Sequence, residues 1–313
     1  MPSPSLFAIF GPTGVGKTNV AIALAELLRK DGRDPVAVSA DALQVYQGMA
    51  TLTGTATAQQ QRLLEHRLVN FVPVTDTFSV AAYARAAHSE IDDLLARGQT
   101  PIVVGGTGLY LRAALAELAL RPPPQPGVRQ RWESQVAQHG PATVHAHLAS
   151  VAPATAAKID PNDRHRIIRA LELHEAGALA SPDSPSQLWT SEMRHATVLV
   201  GLTMDREVLY RQIEERVDEM VKAGVVEEVV AADHAGASIT ARKALGFAQC
   251  LEGDIEGMKT RTRQYARRQI TWMSKLKGIE IIDVSDRSAG EVAAQIVDIP
   301  VVPATAFGSQ ETQ

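Results

Sequence analysis

Gly11-Pro12-Thr13-Gly14-Val15-Gly16-Lys17-Thr18 has the complete G-x-x-x-x-G-K-[ST] spacing of a phosphate loop. Glycines at 11, 14 and 16 let the backbone turn sharply with its N–H groups inward, and a helix starting behind them adds the partial positive charge of its N-terminus. The candidate phosphate contacts are therefore Gly11, Thr13, Gly14, Gly16, Lys17 and Thr18, with Lys17 reaching the outer phosphates and the Thr18 hydroxyl on a Mg²⁺. A second chemical group, Asp41, follows the apolar run Pro35 to Ser39 and so stands at the carboxyl end of a strand, where open parallel sheets bind ligands. Phosphate-loop ATPases, GTPases and kinases usually carry another acid at a strand end to hold Mg²⁺ through water. Here the strand Pro101 to Val104 runs into Gly105-Gly106 instead, which leaves Asp41 as the strand-end acid beside the loop, fit for either metal holding or general-base work. A third feature is the run Lys259, Arg261, Arg263, Arg267, Arg268, Lys275 and Lys277, with no acid among them and with Tyr265 and Trp272 interleaved. An all-positive run with aromatics points to a phosphate backbone or RNA partner; a helix with acidic partners from elsewhere in the fold fits it equally.

The elements that must position these groups follow from periodicity. Leu6 to Phe10 reads as a buried strand and Asn19 to Leu28, with Val20, Leu24, Leu27 and Leu28 at helical spacing, as a helix, which is the context a phosphate loop requires. A strand lies within His66 to Val74, Thr51 to Thr57 reads as an irregular loop, and Ser79 to Ala96 as a helix capped by Ser79. Strand, glycine turn and helix alternate, so the expected class is α/β, a P-loop NTPase-like core with a parallel sheet flanked by helices. Between Pro122-Pro123-Pro124 and Pro182 with Pro185 the pattern turns helical only, over Val128 to Gln138, Pro141 to Ser150 and Arg164 to Glu175. These proline-rich borders mark an all-helical insertion able to move against the core. The core resumes with the strand Thr197 to Leu202, the helix Arg206 to Ala223 and a last strand, Ile279 to Val284. The expected division is 1–120 with 191–300 as the core, 121–190 as the insertion and 301–313 as a disordered tail.

Composition agrees with this plan. The 313 residues are 45% apolar, enough for a sizeable core, while aromatics are scarce at 4% and no internal repeat is found. With no apolar run of about 18 residues and no basic-then-apolar N-terminus, a soluble cytoplasmic protein without membrane association is expected. The single cysteine, Cys250, excludes internal disulfides, and the nine histidines, with His145 and His147 two apart, lack ligand spacing and read as surface residues. No apolar stripe calls for a dimer, so a monomer is expected.

Taken in order, the loop, Ser39-Ala40-Asp41-Ala42-Leu43-Gln44-Val45-Tyr46 with Gly48-Met49, Gly105-Gly106-Thr107-Gly108-Leu109-Tyr110, Asp160-Pro161-Asn162-Asp163 with Arg166 and Arg169-Ala170-Leu171-Glu172, and Arg267-Arg268-Gln269-Ile270-Thr271-Trp272 form the motif series of tRNA dimethylallyltransferases. The chain resembles that family from about Leu6 to about Val284. The resemblance implies transfer of a dimethylallyl group from dimethylallyl diphosphate to N6 of the tRNA adenosine at position 37, beside the anticodon, with Mg²⁺. It implies Asp41 as base, Thr107 near the bridging oxygen of the diphosphate and Arg216 on its phosphates. For the anticodon stem-loop it implies Gln44 on a base edge, Asn162, Asp163, Arg166 and Arg169 in the insertion, and Arg263, Gln264, Arg267, Arg268, Gln269 and Trp272 along a channel.

Two departures stand out. The family pattern Gly-Met-Asp-Ile-Gly-Thr-Ala-Lys-Pro is replaced after Gly48-Met49 by Ala50-Thr51-Leu52-Thr53-Gly54-Thr55-Ala56-Thr57, which loses an acid and a lysine and lengthens the stretch. The usual arginine before Ile213 is Gln212, with Arg211 one position earlier, so a phosphate contact is moved or lost. Other readings are an isopentenyltransferase of free adenine nucleotides, a phosphate-loop small-molecule kinase and a non-catalytic RNA-binding protein. The insertion and the basic helix favour RNA over a free nucleotide, Gly105-Gly106 disfavours the kinase, and Asp41 beside an intact loop disfavours mere binding.

Overall fold

The computed structural model describes residues 6–122, 125–179 and 187–305. The first phosphate-loop strand, β1 (Leu6–Phe10), is followed by α1 (Lys17–Lys30), β2 (Pro35–Ser39), α2 (Ala50–Thr53), α3 (Ala58–Leu63), β3 (His66–Arg67), α4 (Val80–Ala96), β4 (Thr100–Gly105) and α5 (Gly108–Leu115). Ser79 caps α4 by accepting from the Ala82 amide. The expected strand after His66 is only two residues long, because Leu68 and Asn70 take left-handed φ values of 58° and 51° and turn the chain off the sheet. The stretch Thr51 to Thr57 is not irregular either. It holds the short helix α2, stops at Gly54 in the left-handed region, and starts α3 with a Thr57–Gln60 capping box.

The insertion, Ala119–Gln187, is a unit of its own. It consists of α6 (Val128–His139), α7 (Pro141–Val151), α8 (Pro153–Ala156) and α9 (Arg164–Glu175), packed around Val136, Val144, Leu148, Ile167, Ile168 and Leu171. His145 is half-buried rather than on the surface, with its Nε2 3.0 Å from the carbonyls of Ala156 and Ile159, and it ties α7 to the chain around α8. Pro123, Pro124, Pro182 and Pro185 of the proline borders lie outside the described residues.

The other unit continues with β5 (Thr197–Thr203), α10 (Arg206–Lys222), α11 (Val225–His234), α12 (Phe247–Glu252), α13 (Ile255–Met273), β6 (Glu280–Asp283) and α14 (Ala289–Val297). All six strands are parallel, in the order β3-β2-β4-β1-β5-β6. Successive side chains point to opposite faces of a strand. Phe7, Ile9, Ile102, Val198 and Val200 meet α1 and α14 in one core cluster, and the alternate residues Leu6, Ala8, Phe10, Val36, Val38 and Val103 are buried too. Both faces are thus covered, as a parallel sheet requires. The start of the expected tail is tied down: Val302 and Thr197 exchange backbone hydrogen bonds of 2.8 and 2.9 Å, and the Thr305 amide donates to the Met193 carbonyl. Residues 306–313 lie outside the described residues. Among the described residues no helix is long and apolar enough to cross a membrane.

Candidate active site

Register brings the chemical groups to one edge. Phe10 is level with Gly105 and Gly201, and Ser39 with Val104, so the chain leaves β1, β2 and β4 side by side at Gly11, Asp41 and Gly106. Gly105 is required by this closeness: a Cβ there would lie 2.1 Å from the Ala40 carbonyl oxygen. In the phosphate loop Gly14 and Gly16 have φ of 86° and 88°, which turn the backbone into the start of α1. Lys17 folds back across its own loop, its Nζ donating to the carbonyls of Gly11 (3.0 Å) and Pro12 (2.8 Å). Burial, reinforced by the nearby Arg216 charge and opposed by Asp41, lowers its pKa to about 8.

Asp41 Oδ1 accepts from the Leu43 amide at 2.9 Å, which turns the chain away from β2 and holds the carboxyl at the strand end. Burial raises its pKa, against the pull of the Leu43 amide, the Lys17 charge and the Thr107 hydroxyl. The result is a carboxylate more basic than one in water. Thr107 sits where β4 gives way to α5, its Oγ1 3.4 Å from the Ala42 amide and 3.4 Å from the Tyr265 hydroxyl. Tyr265, on α13, has its own pKa pushed up to about 12 by burial first and the Asp41 charge second.

A cavity of about 710 Å³ opens over this edge, lined by Thr13, Lys17, Thr18, Asp41, Gln44, Arg216, Tyr265 and Gln269 among others. It brings together the loop, the strand-end acid and Arg216 of α10, which sequence spacing leaves far apart. Several other expected contacts are already engaged within the protein. Gln269, expected on RNA, is instead 4% exposed: its Oε1 accepts from the Thr13 amide at 2.8 Å and its Nε2 donates to the Gly106 carbonyl at 2.9 Å. It braces the loop against the end of β4. Gln44 likewise uses its amide internally, accepting from Ser39 Oγ at 2.9 Å and donating to Gly54 O at 3.3 Å. Trp272 packs over Gly108, where a Cβ would come within 2.1 Å of the indole, and meets Trp189 with ring centroids 4.5 Å apart. Arg263 pairs with Glu214 of α10, Arg267 bonds the Tyr210 hydroxyl, and Arg268 lies over the Tyr265 ring. Of these cations Arg267 and Arg268 are exposed, as is Gln264.

In the insertion, Asp163 caps α9 by accepting from the Arg166 amide at 3.0 Å, and the Asn162 amide donates to Asp160 Oδ1 at 2.8 Å in the turn before it. Arg166 is exposed. Arg169 instead salt-bridges the buried Glu172 at 3.0 Å and donates to the Pro122 carbonyl at 2.7 Å, a structural role. Sequence reasoning noticed Tyr265 only as an aromatic among cations; its place two turns before Trp272 and one turn before Gln269 on the same helix was the available signal. The helix α14 was missed altogether, although Ser288 and Glu291 have capping-box spacing. Among the described residues no group of three or more His, Cys, Asp or Glu side chains is arranged to hold a metal.

A parallel α/β sheet thus brings the glycine loop, the Asp41 carboxyl and the half-buried Arg216 to one cavity at its strand ends. The chain belongs to the IPP transferase family, whose model matches residues 44–276. It is 40% identical over 283 residues to the tRNA dimethylallyltransferase of Thermobifida fusca, covering 87% of each chain. To that of Kineococcus radiotolerans it is 39% identical over 301 residues, 92% of this chain and 93% of the relative. The crystal structure of a full-length tRNA isopentenylpyrophosphate transferase from Bacillus halodurans matches with a TM-score of 0.66 and 32% identity over 94% of both chains.

Proposed function

We propose that this chain transfers the dimethylallyl group of dimethylallyl diphosphate to N6 of the adenosine at tRNA position 37, on a P-loop NTPase-like core. The observation that carries this reading is one cavity holding a phosphate loop, Lys17, Arg216 and the basic carboxylate of Asp41. An exocyclic adenine amine is a poor nucleophile because its lone pair is delocalised into the ring. As N6 bonds the allylic carbon, its proton passes to Asp41, and the carbon–oxygen bond to the diphosphate breaks. The barrier then depends on the charge left on the diphosphate, which the loop amides, Lys17 and Arg216 stabilise, with Thr107 beside the bridging oxygen.

A Mg²⁺ would fit here as an ion shared with the substrate: the Thr18 hydroxyl, which lines the cavity, would be its protein ligand, and phosphate oxygens and water would complete the set. Bound there it would neutralise charge on the departing diphosphate. On the RNA side, the exposed Arg267 and Arg268 of α13 and Arg166 of the insertion support contacts to the anticodon stem-loop.

The test is incubation with an unmodified tRNA, dimethylallyl diphosphate and Mg²⁺, followed by nucleoside mass analysis, with Asp41→Ala alongside. A gain of one dimethylallyl unit on adenosine 37, lost in the variant, is expected. A gain on AMP but on no tRNA would make the substrate a free nucleotide and overturn the proposal.

A further inference from the structure

The stretch after Met49, where this chain departs from the family pattern, is built into a small core behind Arg216. Leu52 of α2 is 5% exposed and shares a cluster with Val217 of α10 and with Val225 and Val229 of α11. The first turn of α2 leaves amides without helical partners, and Glu228 of α11 takes two of them: Oε2 accepts from Thr51 at 2.9 Å and Oε1 from Leu52 at 2.8 Å. At the other end of α2, Gly54 has φ of 60°, and a Cβ there would stand 1.7 Å from Arg216 Nη2 and 2.9 Å from its Cζ. Arg216 Nε is buried and has no hydrogen-bond partner among the described residues. Packing rather than bonding therefore sets where this guanidinium lies, and the surface it packs on is Gly54.

We propose that Glu228 and Gly54 are positioning residues for Arg216: Glu228 fastens α2 by its first turn, and Gly54 leaves the space in which the guanidinium faces the cavity. The inference rests on the diphosphate reading above, because Arg216 needs careful placement only if it meets an anion. The same arrangement explains why Gln44 is held, since its Nε2 reaches the carbonyls of Thr53 (3.4 Å) and Gly54 (3.3 Å) at the end of this turn.

The experiment is calorimetric binding of inorganic pyrophosphate with Mg²⁺ to the full chain and its variants. Glu228→Ala and Gly54→Ala are each expected to weaken binding about ten-fold, the size of one charge-assisted hydrogen bond. Glu228→Gln should recover part of the loss, and Glu227→Ala, at the exposed neighbour, should change nothing. In the transfer assay kcat/KM for dimethylallyl diphosphate should fall by at least the same factor, because Arg216 meets the charge on the departing diphosphate, while the KM for tRNA holds. The decisive arm is the double variant: with Arg216→Ala in place, Glu228→Ala should have almost no further effect, because residues acting through one another are not additive. Full persistence of the loss in that background, or wild-type affinity in the single variants, overturns the proposal. If Glu228→Ala does not fold, Gly54→Ala carries the same cycle. A wild-type chain that binds no pyrophosphate overturns the diphosphate reading itself, and this proposal with it.

Discussion

Lys17 offers the sharpest quantitative prediction, because its charge state is set by the fold. With a pKa of about 8 against an ordinary 10.5, charging it inside the folded chain is disfavoured by about 3 kcal/mol relative to water. At pH 9 only about one-tenth of the free protein carries the proton; a bound diphosphate, opposite in charge and in contact, restores the ordinary value, at which nearly all of it does. Binding at pH 9 should therefore draw in about 0.9 proton at Lys17, and at pH 7 only about 0.1. The assay is pyrophosphate titration at both pH values in two buffers of different ionisation enthalpy. Pyrophosphate titrates in this range itself, so the quantity read is the difference between wild type and Lys17→Arg, whose guanidinium stays charged throughout. The sign also sets a stability trend. The folded chain binds fewer protons than the unfolded between pH 8 and 10.5, so the unliganded protein should gain stability through that window as pH rises. Equal uptake by wild type and Lys17→Arg at pH 9 would refute the reasoning.

Three further outcomes follow from the same geometry. Asp41→Asn should lower transfer by about 10² to 10⁴ while leaving pyrophosphate binding intact or stronger, and the acid limb of kcat/KM in the wild type should lie above the ordinary carboxylate value of 3.8, since burial raises this carboxyl. Gln269→Ala leaves the Thr13 amide and the Gly106 carbonyl without their partner and should cost about 2–4 kcal/mol in urea unfolding; a loss below about 0.5 kcal/mol would show that the brace does not matter. In the insertion, Arg169→Ala should destabilise by about 1–3 kcal/mol, because it removes one of the two arginines on the buried Glu172. Arg166→Ala, at an exposed guanidinium 3.3 Å from Asp163, should stay within about 0.5 kcal/mol and act on tRNA affinity alone.

Local chemistry was legible without coordinates wherever one segment carries its own instructions. The phosphate loop, the run Leu6–Phe10 before it and the helix after it are specified by glycines, apolar period and a helix start within about 25 consecutive residues. The helices of the insertion were equally readable, because Val128–His139, Pro141–Val151 and Arg164–Glu175 begin at glycine, proline or aspartate signals. By contrast, how short the strand within His66 to Val74 is could not be read, because the left-handed Leu68 and Asn70 that end it have no residue-type signature beyond the asparagine. What the sequence by itself determined is which segments carry the phosphate-loop pattern, the strand-end acid and the run of cations, since type and spacing within a segment fix those. Only the tertiary structure decided how each is used. Gln269 became a brace and Gly54 came to lie against Arg216, because hydrogen bonds and contacts between residues more than a hundred positions apart depend on how the strands and helices meet, and no local pattern encodes that meeting.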